Sequence, residues 1–442
     1  MSDDPRNNPP RGKAVPSGRL SRVFGLGTLA GRIAGNVVAS GASQLLKGQR
    51  PAMSDLLLTP ANITRIADKL ATMRGAAMKV GQLISMDGGD FLPRELADIL
   101  ARLRDDAEPM PKEQLDDVLT QAWGDNWQST LLYFTFTPVA AASIGQVHKI
   151  ITMEGAMLAV KVQYPGVRES IDSDVNNVAT LIRMSGLIPK ELDITPILEE
   201  AKEQLKQEAD YLREAQMLDR YHNLLSDDED FIVPASFPAL CTADVLAMSF
   251  ESGGDIQQVI DLPQAQRNQI MSALMRLFFK EVFDFRLIQS DPNLANYRFH
   301  AQTGKVILLD FGATREIPDY IAAGYKQLLQ AAAFQDSTMM EQAALSIGLL
   351  LPSHSEEQKA QVVELGMTAC EAIHQDAEYD FGDSDLIARI HTLGTALTYE
   401  HNFWHVPPVD ALFIHRKLGG LFLLAKRLNA QMNLRAIAEP WL

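Results

Sequence analysis

Apolar side chains recur at three-and-four spacing across residues 63–103, at Ile66, Leu70, Met73, Ala77, Val80 and Ile84, which is the stripe of an amphipathic helix. The run breaks at Asp87, Gly88 and Gly89, and Pro93 then suits the first turn of a second helix, PRELADILARL. After a DAEPMPKEQ connection and a further short helix, the pattern changes at Tyr133. Segments 133–136, 144–151 and 157–162 are short, rich in aromatic and β-branched residues and separated by turn-like stretches, which predicts a small antiparallel sheet. One long helix is expected over 197–225, with Leu205, Glu208, Leu212 and Ala215 on one side and Asp210 and Glu214 on another. A helix acidic on two sides suits a place between two layers. A strand at 244–250 leads into Ser252-Gly253-Gly254, read as a flexible joint. From Pro263 onward the pattern is helical, except over 289–312, where two short strands flank a turn at Thr303-Gly304.

Sheet, helix, strand, glycine joint and helical lobe, in that order, is the layout of a protein-kinase-like fold of the α+β class. With 442 residues and 46% hydrophobic content the chain can pack two or three units. Asp and Glu outnumber Lys and Arg by 56 to 40, a formal charge of −16, which argues against a sequence-independent nucleic-acid binder. Cys241 and Cys370 lie far apart and in no metal-binding spacing, so neither a disulfide framework nor a zinc site is expected, and a reducing compartment is the simpler reading. The amino terminus, MSDDPRNNPPRGKAVPSG, lacks the apolar core of a secretion signal, so the chain reads as cytoplasmic. Residues 24–46 complicate this: they are apolar and small, with Gly27, Gly31 and Gly35 forming a groove along a helix and Arg32 inside the run. Both a glycine-loosened surface helix and a membrane-contacting one fit that composition.

Three stretches carry the chemistry. In LAVKVQYPGV, Lys161 sits on a predicted strand, as does the lysine that holds nucleotide phosphates in kinases; alone, a strand lysine is more often an edge residue. In QSDPNLANYRF, Asp291 and Asn296 stand five apart, a spacing that lets the carboxylate reach a nucleophile while the amide turns back to a metal on the phosphates. Gln289 stands where typical kinases have histidine, and alone this is also a plain polar turn. In VILLDFGATRE, Asp310 follows a hydrophobic strand and falls 19 residues after Asp291, placed to hold Mg2+. The joint order of strand lysine, Asp/Asn loop and DFG is far more specific than any member. Ala140, Ala141, Ala142 and Ser143 occupy the place of the glycine-rich loop over the phosphates, and alanine there predicts a more fixed backbone path. His401, His405 and His415 lie among Phe403, Trp404, Phe413 and Ile414, which points to helix packing rather than metal binding.

AAMKVGQL, AAASIGQVH, AVKVQYPGV, EADYLREA, QSDPNLANY and LLDFG, spanning about 76–312, together resemble the UbiB/AarF atypical kinase-like family, and within it the branch associated with coenzyme Q biosynthesis. The resemblance implies that Lys79 and Gln82, of the KxGQ sequence, face the active site from a helix that blocks docking of a protein substrate. It also implies that Glu208 and Asp210 form an ExD pair with Glu208 near Lys79, and that Glu214 pairs with Lys161.

The implied organisation is a flexible, amphipathic or membrane-contacting N-terminus over 1–50, a helical KxGQ extension over 51–130, a β-rich N-lobe over 131–255 and a helical C-lobe over 256–442. The implied activity is Mg2+-dependent use of ATP, as an ATPase or small-molecule phosphotransferase, in ubiquinone biosynthesis, with protein phosphorylation disfavoured. The implied surroundings are a lipid membrane surface, quinone precursors or quinone-biosynthesis proteins, and a homodimer as a candidate assembly; the chain would be cytoplasmic, peripheral at the inner membrane. An alternative from another class is an ATP-gated chaperone that binds lipid or quinone precursors without phosphotransfer.

Overall fold

The computed structural model describes residues 109–442 apart from 186–194, 292 and 406. In chain order the α-helices of ten or more residues among those described are α1 (Lys112–Trp123), α2 (Val167–Ser185), α3 (Thr195–Glu208), α4 (Tyr211–Leu224), α5 (Gln264–Lys280), α6 (Asp319–Phe334), α7 (Ser337–Ser346), α8 (Glu356–Ala369), α9 (Leu386–Tyr399) and α10 (Val409–Arg427). The strands used below are β1 (Leu131–Phe134), β2 (Ala140–Ala141), β3 (Gly145–Thr152), β4 (Met157–Gln163), β5 (Phe231–Ile232), β6 (Val245–Ser249), β7 (Gly254–Asp255), β8 (Leu287–Gln289), β9 (Tyr297–Phe299), β10 (Val306–Leu308) and β11 (Thr314–Glu316). Two compact units result, one of residues 109–216 and 235–250, the other of 217–234 and 251–442.

The first unit is built on a sheet of order β1-β3-β4-β6, with β2 paired to β3. Both inner pairings are antiparallel, and β4 lies between β3 and β6, with Lys161 opposite Val147 on one side and Leu246 on the other. Its Leu158, Val160 and Val162 are fully buried, as expected of a β-branched central strand. They share a core with Leu115 and Leu119 of α1, Trp127, Phe134 and Ile150. Trp127 meets Phe134 edge-on, with ring centroids 5.0 Å apart, and its indole N–H donates to Asp116, so the large ring is buried without an orphaned donor.

The expected helix over 197–225 is two helices. The chain breaks at Ala209 and Asp210, where the Asp210 side chain accepts the N–H of Arg213 at 3.1 Å and so caps α4. The carbonyl of Ala209 is instead satisfied by Arg168 and by Gln163. The break re-phases the pattern: Leu212 is exposed and Glu208 half-buried, rather than sharing one apolar stripe.

The second unit combines a sheet of order β5-β10-β9-β7, a β8-β11 pair and the helices from α5 onward. α5 is buried from Ile270 to Phe279 at every position but Ser272 and Arg276. Gly253 and Gly254 form no loose joint: a Cβ on Gly253 would lie 2.6 Å from the Ile307 side chain, and one on Gly254 2.7 Å from the Phe299 ring. Glycine serves close packing there, and Gly254 pairs with Phe299. The chain after Ala313 enters β11 before any helix, antiparallel to β8. Trp404 is 56% exposed and lies outside any helix, so it does not pack as expected. Among the described residues no helix is long and apolar enough to cross a membrane.

Candidate functional site

In the sheet unit, Lys161 projects from β4 and its Nζ donates to both carboxylate oxygens of Glu214 on α4, each at 2.9 Å. The lysine is 7% exposed and the glutamate 1%, and the ammonium also lies 5.1 Å from the Tyr211 ring centroid. Held this closely by Glu214, the Lys161 ammonium is a positive charge fixed in place, of the sign that suits an anionic phosphate chain.

The alanine stretch is a strand rather than an open loop. Ala140 and Ala141 pair with Val147 and Gln146, and the N–H of Ala142 donates to the carbonyl of Gly145 at 2.9 Å, closing a tight hairpin. The Ser143 hydroxyl donates to Glu208 at 3.0 Å, joining the hairpin tip to the end of α3. Gly145 is sterically required, since a Cβ there would sit 2.4 Å from the carbonyl oxygen of Val162 and 2.7 Å from the Tyr211 hydroxyl. Asp210 is exposed and serves as a helix cap.

Behind the hairpin runs a polar relay that the sequence pattern did not single out. The N–H of Met110 donates to Gln146 at 2.8 Å, the Gln146 amide lies 2.8 Å from Nε2 of His148, and Nδ1 of His148 lies 2.6 Å from the Thr135 carbonyl. A carbonyl can only accept, so Nδ1 carries the proton and Nε2 accepts from Gln146. Burial pushes the His148 pKa down to about 4, against the opposing effect of the Thr135 hydrogen bond.

In the helical unit, β8 delivers Gln289, Ser290 and Asp291. Ser290 bonds the carbonyl of Ala313 through both its N–H and its hydroxyl, tying the loop to the strand beyond Gly312. Asp291 is held from three sides, by the N–H of Asn293 at 3.3 Å, by Nδ2 of Asn296 at 3.2 Å and by the Arg416 guanidinium at 3.5 Å. Asn296 closes a 3-10 turn, Leu294–Asn296, capped by the side chain of Asn293, and its carbonyl accepts the N–H of Leu309. That bond brings the loop beside Asp310, whose carboxylate accepts the N–H of Gly312 at 3.0 Å. Phe311 is buried, its ring 4.7 Å from that of Tyr221. Asp291, Asn296 and Asp310 therefore form one connected cluster within this unit. Asp310 and Asn296 offer hard oxygen donors, which suit Mg2+, an ion that takes one or two carboxylates and completes its shell with phosphate and water.

Lys79 and Gln82 lie outside the described residues. His405 bonds the carbonyl of Gly348, His415 the hydroxyl of Tyr325, and His401 approaches Glu357, so the three are not gathered. Arg416, whose guanidinium meets Asp291, was not foreseen; its signal was a pair of adjacent cations, Arg416 and Lys417, within the apolar sequence FIHRKLGG, both at buried positions of α10. Glu281, in FFKEVFDF, is the matching acidic case and is fully buried.

The ABC1 atypical kinase-like domain matches residues 102–344. The chain is 37% identical over 426 residues to the mitochondrial atypical kinase COQ8 of Saccharomyces cerevisiae, covering 96% of this chain and 84% of that protein. It is 37% identical over 431 residues to the mitochondrial atypical kinase COQ8B of Rattus norvegicus, covering 97% of this chain and 81% of that protein. Among solved structures, Rv3197 of Mycobacterium tuberculosis, in complex with erythromycin, superposes with a TM-score of 0.60 at 22% identity, covering 87% of this chain and 96% of that one. That last likeness is one of fold.

Proposed function

The chain belongs to the ABC1 atypical kinase-like family, and from that premise we propose that it binds ATP with Mg2+ and turns it over as an ATPase or small-molecule phosphotransferase in ubiquinone biosynthesis, not as a protein kinase. The observation that carries this reading is that one unit holds a buried Lys161–Glu214 ion pair and the other a hydrogen-bonded Asp291, Asn296 and Asp310 cluster. In the proposed roles, Lys161 holds the α and β phosphates and Glu214 keeps its ammonium in place. Asp291, fixed by Arg416 and Asn296, accepts the proton of the attacking hydroxyl or water. Asp310 and the side-chain oxygen of Asn296 hold the metal, which when bound neutralises charge on the phosphates. Ala140, Ala141, Ala142 and Ser143 cover the nucleotide, while Lys79, Gln82, Glu208 and Asp210 restrict what reaches it.

Protein phosphorylation is disfavoured by the short path from Gly312 to α6, which begins at Asp319 and is preceded by a strand bonded back onto β8. That leaves little chain to form a docking platform for a peptide. The acceptor we envisage is a quinone precursor at an inner membrane surface.

Two experiments test this. Purified protein should bind ATP in a Mg2+-dependent way that Asp310→Asn abolishes; equal binding by the variant would remove the metal role. In a strain lacking the protein, wild type should restore quinone while Lys79→Ala and Asp310→Asn should not. Restoration by both would break the link to catalysis, and stoichiometric ATP binding without repeated turnover would favour the chaperone alternative.

A further inference from the structure

Glu281 follows α5 in a π-helical turn, Glu281–Phe285, and its carboxylate is fully buried. One oxygen accepts from the Tyr221 hydroxyl at 2.7 Å and from the backbone N–H of Gln289 at 3.2 Å. The other accepts from Lys417 of α10, which is 3% exposed. Burial lowers the Lys417 pKa while the charge of Glu281 works against that shift, and Tyr221 is raised, so the phenol stays a donor. A cavity of about 10 Å³, room for one water, is lined by Glu281, Lys417, Gln289, Asn296 and Asp310. The pair therefore backs directly onto the residues assigned to the metal.

Two buried charges are a poor way to stabilise a fold, since an apolar pair of equal volume usually does as well. An apolar pair would, however, take the carboxylate away from the N–H of Gln289, the last residue of β8 and two before Asp291, and leave it only the Tyr221 hydroxyl oxygen. A charged acceptor holds that N–H more tightly than a neutral one. Arg416, adjacent to Lys417 on α10, meets Asp291 itself, so one helix reaches the loop at both ends.

We propose that Glu281 and Lys417 are positioning residues, a buried ion pair that anchors the Gln289 amide and so sets the placement of Asp291 for turnover. This rests on the ATP-dependent activity proposed above. Lys417 holds the Glu281 carboxylate in place, and Glu281 holds the backbone.

The test compares two double variants of the full-length protein by thermal melting, amide hydrogen exchange over 287–290, and ATP turnover. E281L/K417M removes the acceptor: it should melt close to wild type, exchange the Gln289 amide at least about tenfold faster, and lower kcat by roughly 10²-fold with little change in KM, as small misplacements of a catalytic group do. E281Q/K417M keeps a neutral acceptor of the same shape, and should rescue exchange protection and most of kcat. The proposal is overturned if E281L/K417M keeps wild-type protection and kcat, or if E281Q/K417M folds but loses turnover as fully. Should E281L/K417M fail to fold, E281M/K417M, which also removes the carboxylate, takes its place with the same expected and refuting outcomes. Wild-type protein that turns over no ATP would sink the activity instead, and the exchange arm would still report on the anchor.

Discussion

Lowering the pH from 7.5 to 5 is expected to weaken the sheet unit by about 2 kcal/mol through His148 alone. The ring is wholly buried, stacked 5.1 Å from Phe134, and burial pushes its pKa down from the ordinary 6.5 to about 4. The unfolded chain takes up the proton near pH 6.5, whereas the folded ring resists until about pH 4. The contribution is thus complete above 6.5, falls through that window, and stops falling once the folded ring also protonates. At pH 5 the unfolded ring is almost fully charged and the folded ring only about one-tenth so, which yields the figure given. There is a structural consequence as well. A protonated Nε2 would face the Gln146 amide N–H groups, and turning that amide to accept would withdraw its oxygen from Met110. The assay is amide hydrogen exchange over β3 and β4, corrected for intrinsic rates, in wild type and His148→Asn. Wild type should lose about 30-fold more protection than the variant between pH 7.5 and 5, with the Met110 amide opening first. Equal losses in the two proteins would refute the reasoning.

Other changes should separate sharply by burial. Glu214→Ala leaves the Lys161 ammonium buried and should cost about 3–5 kcal/mol in urea unfolding, while Glu199→Ala, which frees Lys202 at an exposed carboxylate, should cost under about 1; similar values would mean that Lys161 reaches water. Gly145→Ala forces a Cβ against the Val162 carbonyl and should cost about 1–3 kcal/mol, visible as a lowered melting temperature; an unchanged melt would mean that β3 and β4 part easily. Ala141→Gly, on an exposed strand, should cost only about 0.5–1 kcal/mol but alter nucleotide affinity or phosphotransfer; unchanged affinity and transfer would count against a nucleotide role for β2.

The elements that were legible in the sequence are those whose period and chemistry agree locally. The strand bearing Lys161 and the strand that ends two residues before Asp310 announce themselves by apolar runs, and the Asp291 to Asn296 spacing is fixed by a single turn that the chain closes on itself through Asn293. What escaped depends on partners distant in sequence. The break at Asp210 was hidden because a helix wheel treats a capping aspartate as one more acidic side chain, although its oxygen is spent on the N–H of Arg213. The pairing of β8 with β11 was missed because three-residue strands carry no period at all. Gly253 and Gly254 read as a joint since composition cannot tell glycine chosen for freedom from glycine chosen for closeness, and only the Phe299 and Ile307 contacts decide.

The same distinction bears on the alanine stretch. A glycine loop reaches a phosphate by adapting its backbone, so it must be loose before the ligand arrives. Here the backbone groups of Ala140 and Ala141 are already committed to β3, the turn is closed at Ala142, and Ser143 is tied to Glu208. The freedom lost in the alanines is matched by the one glycine kept, Gly145, whose bare Cα lets β3 press against the Val162 carbonyl. A hairpin fixed in this way has little backbone freedom left to lose on binding. Its backbone holds one pose before any ligand arrives, so a nucleotide beneath it would meet a surface already set rather than one that closes around it.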